Sequence, residues 1–261
     1  MTADTAATHR LLAAGEPDPV EVRNLGAGSR FLLACDHAGR RIPRALGDLG
    51  LPESELARHI AWDIGAAGVA RGLADRLAAP LVAQVYSRLV IDCNRHPRVP
   101  GSMPEVSELT EIPGNRAIHP EQRRARHDEI FRPYHDTLVA ELDRRAQAGA
   151  ATLLVAVHSF TPVFKGVARP WHVGVLYNRN RRLAEIMMAL FEAEGDLVVG
   201  DNEPYAVGDE TDYTIPVHGE QRGIDHVELE IRQDLVADEA GQQAWAERLT
   251  RLLSEAAARL G

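Results

Sequence analysis

Apolar residues along the chain fall into short continuous runs that alternate with longer stretches of helical period, the pattern of an α/β domain with a central sheet. The runs with strand character are Phe31 to Cys35, Leu81 to Asp92, Thr152 to Val157, His172 to Tyr177, Leu197 to Val199 and Val227 to Arg232, mostly bounded by Gly, Pro, Asn or Asp. Their unbroken apolar character suits buried strands. Helical period predicts helices over Ser54 to Leu77, Glu121 to Ala148, Arg181 to Glu194 and Gly241 to Leu260, with Pro133 kinking or splitting the second.

Two long segments follow neither period. Residues 96–120 carry five prolines, and Gly200 to Gly223 mixes tyrosines, His218 and several acids, a composition of ordered loops over a site rather than of linkers. Residues 1–28 read as a loosely attached arm and 29–261 as the functional domain. A length of 261 residues with 45% hydrophobic content gives one such domain, or at most two small ones. The formal charge of −9 argues against nucleic acid or an anionic membrane as partner. No run of about 18 apolar residues and no basic-then-apolar leader is present, so a soluble cytoplasmic protein is expected. Two cysteines are too few for a disulfide framework or a cysteine-rich zinc site, which leaves any metal to histidines and carboxylates. Nothing in the pattern specifies an oligomeric state.

Chemistry-bearing residues gather at the ends of the predicted strands. His37 follows the run Phe31 to Cys35, and His158 follows Thr152 to Val157. Each is either a local cap or one of a pair of imidazoles held at the sheet edge where open α/β sheets bind ligands. On a helix from Ser54 to Leu77, Asp63 shares the face of Leu56, Ile60, Ala67 and Ala70, so its carboxylate is buried and needs His59, an arginine or a metal as partner. Arg88, Asn94 and Arg95 stand at the exit of the run ending at Asp92, where forked donors suit a carboxylate. Strict alternation in His226 to Asp234 puts His226, Glu228, Glu230 and Arg232 on one face, and a glutamate there that looks into a cleft becomes a candidate general base. Cys35 lies two residues from His37, so a cysteine hydrolase is conceivable, although catalytic partners usually come from distant parts of a chain. Fingerprints of serine hydrolases, dinucleotide or nucleotide sites and zincins are absent from the sequence.

Several ordered motifs together resemble the N-formylglutamate amidohydrolase family. They are Asp36-His37-Ala38-Gly39, the segment His59 to Ala66, Ser87 to Asp92 with Asn94-Arg95, His158 to Pro162, Arg169 to Gly174, Gly200 to Tyr205, His218-Gly219-Glu220 and Glu228 to Asp234. That family is similar to the zinc carboxypeptidases. The resemblance implies a single-domain, three-layer α/β/α fold with a central mixed sheet, zinc-exopeptidase-like, with one Zn2+ or another divalent metal at the strand ends. It implies His37 and His158 as metal histidines, Glu230 as the catalytic glutamate, and Asn94-Arg95 as the pair holding a substrate carboxylate. Where the carboxypeptidase pattern has a glutamate ligand three residues after the first histidine, this chain has Arg40, and Asp63 is the expected replacement unless it is tied to Arg88 or Arg95. Arg88, Arg169 and His218 are expected to hold a second carboxylate or the oxyanion, and Arg232 to touch substrate or orient Glu230. The implied reaction is hydrolysis of a small-molecule N-acyl amino acid, N-formyl-L-glutamate giving formate and glutamate. The alternatives are a deacylase or carboxypeptidase-like hydrolase of other specificity, or a catalytically silent carboxylate-binding protein.

Overall fold

The computed structural model describes residues 10–261. In chain order the elements are β1 (Val20–Arg23), β2 (Phe31–Cys35), α1 (Glu53–Leu56), α2 (Ala66–Arg76), β3 (Leu81–Gln84), β4 (Val106–Ser107), β5 (Thr110–Glu111), α3 (Pro120–Arg126), α4 (Arg132–Gln147), β6 (Leu153–Phe160), β7 (Val163–Phe164), β8 (Val167–Ala168), β9 (Val173–Leu176), α5 (Arg182–Glu194), β10 (Val199–Asp201), β11 (Asp225–Arg232) and α6 (Glu239–Leu260). Seven strands make one mixed sheet in the order β1-β3-β2-β6-β11-β9-β10, and β4-β5 and β7-β8 are small separate hairpins. Strands β3, β2, β6 and β11 run parallel, with β1 antiparallel to β3 and β9 antiparallel to β11.

Side-chain alternation divides the sheet between two cores. Phe31, Leu33, Val155, Val157, Leu229 and Ile231 point to the face covered by α2, α5 and α6. Leu32, Ala34, Leu154 and Ala156 point to the other, where α4 and the irregular segments between β3 and α3 pack. By strand parity His158, Glu228 and Glu230 belong to this second face, at the carboxyl ends of their strands. The parallel register of β2, β6 and β11 therefore delivers His37, His158 and Glu230 to one edge of the sheet.

Four elements differ from the pattern-based expectation. The helix expected over Ser54 to Leu77 is two helices separated by residues 57–65. Tertiary hydrogen bonds replace the helical ladder there: the Asp63 N–H donates to the His37 carbonyl at 3.0 Å, the Ser87 hydroxyl to the Ala61 carbonyl at 2.7 Å and the Ser159 hydroxyl to the Ile64 carbonyl at 2.7 Å. Gly65 completes the turn with φ of 81°, and a Cβ on it would stand 2.1 Å from the Val236 carbonyl oxygen, so only glycine fits. The run Leu81 to Asp92 stays a strand only to Gln84, whose side-chain oxygen accepts from the Val85 and Tyr86 N–H groups and turns the chain. Leu89, Val90 and Ile91 are buried all the same, and an apolar run reads alike for a strand and a buried loop. The helix expected over Glu121 to Ala148 is α3 and α4 joined by a π-helical turn over His127–Phe131, so the α period is interrupted just ahead of Pro133, which stands in the first turn of α4. Finally, the arm expected over 1–28 is attached from Leu11 onward: the Leu11 and Leu12 N–H groups donate to Glu129, and β1 forms a sheet edge. Residues 1–9 lie outside the described part.

Arg126 holds the loop system over the second face. It is buried without a carboxylate partner and donates to the carbonyls of Val90 and Gly114 and to the Asn115 side-chain oxygen, while Asn115 donates to Leu89 and Pro104. Burial pushes its guanidinium down to about 10. Arg126→Met strands these buried acceptors and is expected to cost about 2–3 kcal/mol of stability, read by urea denaturation. A loss within ~0.5 kcal/mol would mean that packing alone holds the loops.

Candidate metal centre and active site

His37 lies two residues past the end of β2 and His158 lies within β6, adjacent strands, while Asp63 is brought between them by the turn ending at Gly65. One donor atom from each of His37, Asp63 and His158 lies within 4.8 Å of the others, and all three residues are buried. The two rings stand edge to face, and both turn Nδ1 to Asp63: the Nδ1 atoms of His37 and His158 stand 3.4 and 2.9 Å from Asp63 Oδ2. Their Nε2 atoms point outward to two further buried carboxylates, His37 to Asp92 at 2.7 Å and His158 to Asp36 at 3.1 Å. Asp36 is fixed in turn by the Thr214 hydroxyl at 2.5 Å, and Asp92 by the Nε and Nη2 groups of Arg88.

Electrostatics follow from this packing. Burial alone would raise Asp36, yet the hydrogen bond and charge of His158 hold it at about 2. Asp63 and Asp92 are likewise lowered against the cost of burial, Asp63 first by His37 and Asp92 first by Arg88. Burial and Arg88 oppose a charged His37, but Asp92 and Asp63 outweigh them and raise it; for His158, burial is outweighed by Glu228, Asp36 and Asp63. Three buried carboxylates thus surround two imidazoles, with Arg88 the one guanidinium among the described residues in hydrogen-bond contact with Asp63 and Asp92. A divalent cation among inward Nδ1 atoms and a carboxylate satisfies that charge, and an outward N–H on a carboxylate is the usual support of a metal-bound histidine. Two imidazoles and one carboxylate form a donor set that fits zinc.

These groups line a cavity of about 480 Å³ together with Arg88, Asn94, Arg95, Glu228 and Glu230. Glu230 sits opposite His158 in register, its Oε2 buried without a hydrogen-bond partner, and burial pushes its carboxyl up to about 7. Glu228 also lines the cavity, two residues deeper in β11, and burial raises it well above the usual range. Asp63 is in contact with Arg88 at 3.4 Å as well as with both histidines, so the tie to Arg88 set against a ligand role is present, through Oδ1, while Oδ2 faces the two imidazoles. His59 does not meet Asp63 but faces Glu108 at 3.5 Å.

A sequence model of the N-formylglutamate amidohydrolase family matches residues 29–237. The chain belongs to this family. An N-formylglutamate deformylase of Pseudomonas putida is 32% identical over 139 residues, 49% of this chain and 51% of that protein, so the match spans about half the length of this relative. Among solved structures, a gene product of Agrobacterium tumefaciens is 40% identical, with a TM-score of 0.92 over 96% of this chain and 99% of that one. An N-formylglutamate amidohydrolase from Ralstonia eutropha, 18% identical with a TM-score of 0.67 over 93% of this chain and 98% of that one, shares the fold.

Within this family member, the expected substrate-contacting residues divide. Arg88 and Arg95 line the cavity, Arg95 donating to the Thr211 carbonyl at 3.1 Å and standing 3.6 Å from Asp92. Asn94 also lines it, yet both ends of its amide are engaged: it donates to Asp212 and accepts from the Tyr213 and Thr214 N–H groups, which makes it a clasp on the 211–214 loop. Three others do not line the cavity. His218 is buried beside His135, Nε2 to Nδ1 at 2.9 Å, and the His135 Nε2–H donates to the Cys93 carbonyl; burial lowers both rings, to about 4 and about 3. Arg232 turns from Glu230 to an ion pair with Asp234, and Arg169 packs behind Tyr205, donating to its hydroxyl at 2.8 Å. Cys35 points into the core on the α2 side, fully buried and with its thiol pushed up by burial, which removes the cysteine-nucleophile alternative.

Asp36 and Asp92 lie in motifs visible in the sequence, but the sequence assigns no role to them or to Thr214. The signal available for the two acids was an Asp directly after an apolar run, a position that reads as solvated until the packed loops bury it. Asp92→Asn is expected to weaken metal affinity about 10- to 100-fold, since it removes the carboxylate behind His37. Competition with a chelator of known affinity measures this, and an unchanged affinity would show that Asp92 serves Arg88 alone.

Proposed function

We propose that the protein hydrolyses the N-acyl amide of a carboxylate-bearing amino acid, with N-formyl-L-glutamate, giving formate and L-glutamate, as the first substrate to test. The observation that carries this reading is the joint placement of the His37, Asp63 and His158 donors and an unpartnered, buried Glu230 in one cavity with Arg88 and Arg95. Membership of the N-formylglutamate amidohydrolase family and the named activity of the Pseudomonas putida relative support it.

In this reading the three donors hold one zinc, which supplies Lewis acidity for the acyl oxygen and acidifies water. Glu230 takes a proton from the attacking water as the oxygen adds to the acyl carbon, and returns it to the nitrogen as the C–N bond breaks. Arg95 and the remaining N–H groups of Arg88 bind the substrate carboxylate and set the amide against Glu230. Asp36 and Asp92 accept from the two Nε2–H groups, which keeps the ring proton on Nε2 and leaves the Nδ1 lone pairs free for the metal. Buried walls keep bulk water from Glu230, so its carboxyl is poised between acid and base.

Purified, zinc-loaded protein incubated with N-formyl-L-glutamate is expected to release formate and glutamate in equal amounts. Absence of release from protein shown to carry zinc would reject the reaction.

A further inference from the structure

The two carboxylates behind the metal-site histidines are joined to each other by a route that bypasses the donor atoms. Asp92 Oδ1 accepts from His37 Nε2–H at 2.7 Å and from the Asn94 N–H at 2.9 Å. The Asn94 side-chain oxygen accepts in turn from the Tyr213 and Thr214 N–H groups, both at 3.0 Å, and the Thr214 hydroxyl donates to Asp36 Oδ1 at 2.5 Å. Asp36 Oδ2 completes the route at His158 Nε2. On the inner side the same two histidines meet at Asp63 Oδ2. A closed ring of hydrogen bonds therefore surrounds the centre, and Asn94 and Thr214 are the two members that bond to neither histidine.

Both are buried, Thr214 completely and Asn94 with 5% of its surface exposed. A carboxamide and a hydroxyl are costly to bury unless paired, and here both ends of the amide and the hydroxyl proton are spent. A buried polar network satisfied in this way fixes one arrangement, and cutting one link leaves several groups unpaired.

The ring also reaches the substrate side. Thr214 ends a segment, 205–214, that supplies Tyr205, Ala206, Thr211 and Asp212 to the cavity lining. Asn94 Nδ2 grips the same segment at Asp212 Oδ1, 3.2 Å away, and Arg95 Nη1 grips it at the Thr211 carbonyl, 3.1 Å away. Among the described residues, its other side-chain hydrogen bonds to the body of the protein lie at the surface, from Arg169 to Tyr205 and from Asn178 and Arg179 to Asp209. The buried attachment of this wall is thus the same set of bonds that orients the carboxylates behind His37 and His158.

We propose that Asn94 and Thr214 are positioning residues that lock the outer carboxylates of the metal centre to the 205–214 wall, so that an occupied centre and an ordered wall stabilise each other. Asn94 then acts through Asp92 and the wall rather than on the substrate. This rests on the metal-dependent reading above and deepens it. Metal binding draws on the Nδ1 lone pairs and strengthens the Nε2–H groups as donors, so the affinity depends on where Asp36 and Asp92 stand. Coupling of this kind is reciprocal: the factor by which the ordered wall raises zinc affinity is the factor by which zinc favours the ordered wall.

Zinc affinity by chelator competition and amide hydrogen exchange of the wall test it, and neither needs turnover. Thr214→Val keeps the side-chain shape and removes the hydroxyl, and Asn94→Ala removes the grip on the wall. Each is expected to weaken zinc binding about tenfold, the low end of what loss of an outer partner costs. The two share one ring, so the double variant is expected to lose about tenfold as well rather than the product of the two. Thr214→Ser retains the donor and is expected to bind zinc within about twofold of the wild type. Zinc is expected to slow exchange of the Tyr213 and Thr214 N–H groups about tenfold in the wild type and to leave it unchanged in Thr214→Val. Wild-type zinc affinity in Thr214→Val, or exchange that ignores zinc in the wild type, would overturn the proposal while leaving the metal centre standing. A raised KM for N-formyl-L-glutamate in zinc-saturated Asn94→Ala, with zinc affinity unchanged, would overturn it by returning Asn94 to substrate binding. Failure of the wild type to bind zinc would overturn the metal centre itself and the proposal with it.

Discussion

Glu230→Gln is expected to bind as much zinc as the wild type and to hydrolyse N-formyl-L-glutamate about 10²- to 10⁴-fold more slowly, the range by which a positioned general base accelerates such steps. The residue sits within β11 in register with His158, so the backbone around it is set by the sheet and an isosteric amide leaves it undisturbed. Its Oε2 is buried without a hydrogen-bond partner among the described residues, as is that of Glu228, and the register beside His158 is what favours Glu230. The amide can neither take the proton of water nor hand one to the departing nitrogen. Zinc content by elemental analysis, unfolding temperature and kcat together check the prediction. Turnover within about threefold of wild type would remove Glu230 from the chemistry and turn attention to Glu228, the other buried glutamate of the cavity.

Asp63→Asn is expected to lose both the metal and the activity. Asp63 Oδ2 lies between the Nδ1 atoms of His37 and His158, and the Ser159 N–H is 3.3 Å away, so this one oxygen organises the donor set. The substitution replaces an anionic donor by a neutral one and leaves Arg88 with Asp92 alone. Zinc content after gel filtration is expected to fall from one per chain to less than about a tenth, while the fold persists, because the turn at 57–65 is held by the Asp63 N–H, Ser87 and Ser159 rather than by the Asp63 carboxylate. Full zinc retention would mean that the Asp63 carboxylate is a partner of Arg88 and the third ligand lies elsewhere.

Legibility from sequence followed the length over which a signal is local. Buried parallel strands are continuous apolar runs, so β2, β6, β9 and β11 were readable with their ends shifted by a few residues, and His37, His158 and Glu230 with them. A helical wheel predicts Asp63 buried, but on a helix face, whereas the chain leaves the helix there and buries it in a tertiary turn. Polar residues in long loops were the least readable. Asn94, His218, Arg169 and Arg232 carry groups that suit a carboxylate, yet three of them spend these groups on Asp212, His135 and Asp234, and Arg169 on a tyrosine hydroxyl, partners distant in sequence or masked by ordinary surface composition. Which cation stays free depends on packing among loops, and no period in the sequence encodes that.

One metal ion on His37, Asp63 and His158 is expected to be required for amide hydrolysis beside Glu230. It is tested most directly by titrating zinc into chelator-treated protein while formate release from N-formyl-L-glutamate is recorded. The expected result is a negligible rate before addition, a linear rise, and a plateau at one zinc per chain, with no rise in Asp63→Asn; full activity in the metal-free protein, or the same titration curve in Asp63→Asn, would show that this centre is not what drives hydrolysis.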